Sequence, residues 1–185
     1  MPLSHIPFSN PASHDRLLAE AVRDCNERLA APVPELQVRL VLLDAGTCRE
    51  TTELDRLMRV DDELRQGRLT VLVWLTDREF TPELEKKFRS QIHKRVAILR
   101  DGPARTLGDL VRMEAEAMRF AEDMPLMWPG GWEKKFESHL AATDLPTLLA
   151  CWYGDSAAKK LGHLTLGFPE GAGRIYSRAQ ASRSA

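Results

Sequence analysis

The chain has 185 residues, 43% of them hydrophobic and 29% charged, which suits one folded domain whose core needs no disulfide or metal staple. Its 26 basic and 27 acidic residues leave a formal net charge of −1, so no global field favours nucleic acid, a membrane surface or an acidic substrate. Cys25, Cys48 and Cys151 are too scattered for a disulfide framework or a zinc motif, and neither a secretory signal nor an apolar run of spanning length is visible. A cytoplasmic protein with no membrane partner is expected.

Pro2, Pro7 and Pro11 mark residues 1–12 as an extended arm. Ser13 stands where an N-cap belongs, and Leu17, Leu18, Ala21, Val22, Cys25 and Leu29 follow at helical spacing until Pro32 and Pro34 stop the helix. Leu36 to Leu43 reads as a strand buried on both faces, ending at Asp44. Leu54, Leu57, Met58 and Leu64 mark one helix face between Arg49 and Gln66, with Gly67 as its stop.

A second strand, from Leu69 to Thr76, carries Val71, Val73 and Trp74 and ends near Asp77. Thr81-Pro82-Glu83 opens a helix with the apolar stripe Leu84, Phe88 and Ile92. The short run Val96 to Leu99 predicts a third strand that ends near Asp101. Thr106 and Asp109 then form a capping box that opens a helix to about Asp123.

Met124 to Trp132 is a loop rich in methionine and tryptophan. Short helices follow over Glu133–Ala142, Leu145–Tyr153 and Ser156–Leu161, and Leu164 to Phe168 predicts one more strand. From Arg174 the tail holds Ser, Ala, Arg and Gln without an acid, which predicts disorder over residues 174–185. The fold expected is therefore α/β: a single three-layer domain over residues 13–173. It has a short, mainly parallel sheet with a β-α-β-α-β core and a helical C-terminal part.

Ligands of such sheets collect at the carboxyl ends of the strands, where Asp44, Asp77 and Asp101 would lie. Converging there, Asp44 and Asp77 would hold Mg²⁺ or Mn²⁺, with Asp101 as an outer ligand, in a phosphoesterase or nuclease. Aspartate also favours turns and helix caps, which is the commoner reason for it at strand ends. Trp128-Pro129-Gly130-Gly131-Trp132, with Trp152 on a later helix, suggests a surface for a protein partner, because tryptophan dominates interface hot spots. Burial of the same rings under a long loop is the competing explanation. Lys86, Lys87, Arg89, Lys94 and Arg95 form a basic stripe able to meet phosphates or, with weaker support, nucleic acid; a solvated helix face is the commoner explanation.

The five histidines lack paired metal-ligand spacing, and Gly46 stands alone where a dinucleotide fold would carry three glycines. These absences favour a non-enzymatic binding or regulatory protein, an accessory of a larger assembly, that needs no cofactor. The metal-dependent hydrolase is the alternative.

Overall fold

A computed structural model describes residues 3–5, 12–29, 36–43, 48–74, 82–123 and 131–183. The elements run β1 (Leu3–His5), α1 (Ala12–Arg28), β2 (Leu36–Leu43), α2 (Arg49–Met58), α3 (Asp62–Arg65) and β3 (Arg68–Trp74). Then come α4 (Pro82–Asp101), α5 (Leu107–Phe120), α6 (Glu133–Glu137), α7 (Leu145–Tyr153), α8 (Asp155–Lys160) and α9 (Ala172–Arg183). The architecture is mostly helical around a short parallel sheet, broadly α/β.

The sheet has the order β1-β2-β3, and both pairs are parallel. Its main pair aligns Val38 with Leu69 and Leu43 with Trp74, so the two apolar runs seen in the sequence lie side by side. The third strand is β1, drawn from the proline-rich arm, with Leu3 opposite Leu36.

Val96 to Leu99 is not a strand. From Pro82 to Asp101 the chain contains no glycine or further proline to break a helix, and α4 runs through the whole stretch. Val96, Ala97 and Ile98 are all buried, because α4 is packed by both α1 and α5. A helix covered from two sides shows a continuous apolar run, which a strand also shows, and length decides between them. Leu164 to Phe168 is likewise not a strand; it is a loop held by Asp155, whose carboxylate accepts from the Leu166 and Gly167 amides.

The tail beyond Arg174 is also not disordered up to Arg183. Tyr176 of α9 stacks on Phe136 with ring centroids 4.5 Å apart, and Arg178 pairs with Asp123 at 3.1 Å. The acids that anchor this basic segment lie far back in the chain. Gly173 permits the close approach of α9 to α7: a Cβ there would stand 2.4 Å from the Trp152 ring and 2.9 Å from its Cα. The single helix expected over 49–66 is two, because Arg59 turns extended and Asp61 caps α3 through the Leu64 amide. The capping box of Thr106 and Asp109 is present as read.

β3 forms one edge of the sheet, and side chains close it. The Leu72 amide donates to Gln91 Oε1 at 2.9 Å, Gln91 Nε2 donates to the Leu72 carbonyl at 2.8 Å, and Arg56 donates to the Thr70 carbonyl. An edge strand closed in this way cannot template a further strand over Thr70 to Leu72. No helix among the described residues is long and apolar enough to cross a membrane.

Candidate functional site

Beyond the closed edge of β3 lies a cavity of about 360 Å³ between α2, α4, α7 and α9. The α4 wall is a polar stripe: Glu83, Lys86, Lys87, Ser90, Gln91, Lys94 and Arg95 follow each other at steps of three, one, three, one, three and one. Such spacing puts all seven on one side of a helix. Leu84, Phe88 and Ile92 occupy another face and enter the core.

α2 contributes Arg49, Glu53 and Arg56, α7 contributes Trp152 and Tyr153, and α9 contributes Arg174 and Arg178. Leu57 and Leu72 add an apolar patch. Among the described lining residues, eight are lysine or arginine and four are aspartate or glutamate.

Two glutamates organise the interior. Glu114 of α5 is 2% exposed and accepts from Lys94 Nζ at 2.7 Å and Arg174 Nε at 3.2 Å. Burial alone would raise its pKa; Lys94 and Arg174 outweigh that and hold the carboxyl at about 2. Glu53 accepts from Arg49 Nε and Trp74 Nε1, both at 2.9 Å, and from the Tyr153 hydroxyl at 3.4 Å. Burial, with the Glu53 charge beside it, pushes the Tyr153 phenol well above its usual range.

The cations are not all neutralised. One carboxylate, Glu114, serves both Lys94 and Arg174. Arg56 donates to a carbonyl and has no carboxylate in ion-pair contact among the described residues; Asp61 is taken by Arg95, and Glu63 by Arg39 and Thr70. Lys86 has no ion-pair partner among the described residues. Burial lowers the pKa of Arg56, and that of Arg95 falls to about 10 through burial and the neighbouring Arg56 charge. The Nε atoms of Arg95 and Arg178 are buried and find no acceptor among the described residues.

Of the stripe expected to meet phosphate, Lys86, Lys87, Lys94 and Arg95 line this cavity. Arg89 turns instead toward α1, where it pairs with Asp24 at 3.3 Å and with Glu85. Arg95 is 3% exposed, so it is closed to a flat nucleic-acid surface.

Asp101 does not end a strand. It ends α4, where Arg100 on the same helix binds both its carboxylate oxygens and holds its pKa below the usual value. Asp44 and Asp77 lie outside the described residues, as do Trp128 and Pro129. Among the described residues no group of three or more His, Cys, Asp or Glu side chains is placed to hold a metal ion.

Trp132 packs edge-on against Phe136 and Phe168, at 5.7 and 6.0 Å between centroids. Trp152 is 3% exposed and wedged against Gly173. Both rings serve packing here, and Trp152 is too buried to meet a partner protein in this fold.

Sequence reasoning missed Arg49, Glu53, Arg56 and Glu114, and put Arg174 and Arg178 in a disordered tail. One signal was legible: the polar stripe of α4 is as regular as its apolar one. Comparison with protein-family models, with curated proteins and with solved structures finds no match.

Proposed function

We propose that the chain is a non-enzymatic binding protein, regulatory in role, whose ligand is a small anionic molecule held in the cavity between α2, α4, α7 and α9. The observation that carries this reading is the surplus of positive charge there: among the described residues Arg56, Lys86 and one of the pair Lys94 and Arg174 lack a carboxylate of their own. Cations gathered in a partly desolvated hollow repel one another, and an anion entering it relieves that repulsion. A volume of about 360 Å³ falls within the usual range for small-molecule sites, and the partly buried Leu57 and Tyr153 offer apolar surface for the rest of a ligand.

Binding is favoured over catalysis by the protonation states of Glu114 and Tyr153. Glu114 is held far below neutrality and Tyr153 far above it, so neither is matched to proton transfer near pH 7. Tryptophan contacts with a protein partner do not enter the reading, since Trp132 and Trp152 are engaged in packing.

The test is thermal unfolding of the full chain with phosphate, sulfate, acetate and succinate at constant ionic strength. A ligand at 100 times its Kd adds about 2.7 kcal/mol, which is a rise of roughly 5–10 °C for a chain of this size. A rise with at least one anion that Lys86→Gln reduces is expected. Midpoints that respond to no anion at millimolar concentration would overturn the reading.

A further inference from the structure

We infer that the anionic group the cavity recognises is a phosphate monoester, dianionic at neutral pH, carried on an apolar or aromatic body. The inference rests on the binding reading above and narrows its ligand.

Two features select this group. First, the surplus exceeds one charge, since Arg56 and Lys86 add to the cation left over at the shared carboxylate of Glu114. A monoanion would leave most of it in place. Second, the cations arrive from three helices: Arg56 from α2, Lys86, Lys94 and Arg95 from α4, and Arg174 and Arg178 from α9. A phosphoryl group presents three terminal oxygens in three directions, whereas a carboxylate presents two in one plane.

The body of the ligand follows from the remaining lining. Leu57 and the ring of Tyr153, both partly buried, give one part of the wall an apolar character that inorganic phosphate alone would not cover.

Calorimetric titration of the full chain with four probes separates these features. Phenyl phosphate has the charge, the three oxygens and the aromatic body. Phenyl sulfate keeps the oxygens and body with one charge, succinate keeps two charges on planar groups, and inorganic phosphate lacks the body. Phenyl phosphate is expected to bind at least roughly tenfold tighter than each of the others, a difference of about 1.4 kcal/mol. Lys86→Gln, at a partly exposed position on α4, is expected to weaken phenyl phosphate more than phenyl sulfate. Succinate or phenyl sulfate binding as tightly as phenyl phosphate would overturn the phosphate assignment and leave the anion cavity standing. Binding of none of the four would overturn both.

Discussion

Replacing Glu114 by glutamine removes the one carboxylate shared by Lys94 and Arg174 while keeping the side chain's shape. In the native protein this carboxyl sits at about 2 rather than at its ordinary 4.5. At about 1.4 kcal/mol per pH unit that difference is worth roughly 3 kcal/mol at neutral pH. The figure agrees with the roughly 3–5 kcal/mol expected when one partner of a buried ion pair is lost. Exposure of Arg174, at 46%, sets the expectation at the lower end.

The pH dependence has a definite sign. A depressed carboxyl stabilises the fold fully above its unfolded value, and the contribution fades as pH falls from 4.5 toward 2. Urea unfolding of wild type and Glu114→Gln, followed by tryptophan fluorescence, should therefore show a gap of about 3 kcal/mol at pH 7 that narrows below pH 4.5. A gap under about 1 kcal/mol, or one that stays constant down to pH 3, would refute the clamp as the source of that stability.

His93 makes a second pH prediction of the same sign, separable by its higher pH window. Burial, then the charges of Arg100, Lys94, Arg119 and Arg28, lowers it to about 4 from 6.5, and its ring lies 4.9 Å from that of Phe120. Its neutral form is the folded one, so stability is complete above pH 6.5 and falls as pH drops toward 4, by at most about 3 kcal/mol. His93→Gln should lose this dependence, and parallel unfolding curves for the two proteins between pH 7 and 4 would contradict it. Gln91→Leu leaves the Leu72 amide and carbonyl without their partners at the β3 edge, a loss of roughly 2–4 kcal/mol, with new self-association visible by light scattering. Unchanged stability would show that the edge does not need closing. Gly173→Ala should lower stability by about 1–3 kcal/mol, since a Cβ meets the Trp152 backbone as well as its ring. A higher melting temperature would mean that helix propensity outweighs the clash.

Legibility in the sequence followed the range of the interactions. β2 and α7 end where the apolar pattern and its punctuation place them, and the capping box of α5 is a four-residue signal that the structure repeats. Val96 to Leu99 misled because a helix pressed by α1 and α5 loses its polar face locally. The tail from Arg174 misled because its order comes from Glu114, Asp123 and Phe136, each far away in the chain.

The site divides in the same way. Lys86, Lys87, Lys94 and Arg95 stand out in the sequence as a basic stripe, since helical periodicity is a local property. The opposite wall, with Arg174 and Arg178, exists only once α9 docks on α5. No pattern along the chain announces it.

The most direct test of the anion cavity observes two arginines of its lining. In a ¹⁵N-labelled full chain, the Nε–H resonances of Arg95 and Arg178 report on whether an anion has arrived beside them. On titration with phenyl phosphate both should shift together and saturate at one midpoint, while the Nε–H of Arg16 on α1, 80% exposed, stays in place. Movement of Arg16 with Arg95 and Arg178 unchanged would place the anion elsewhere and contradict the account.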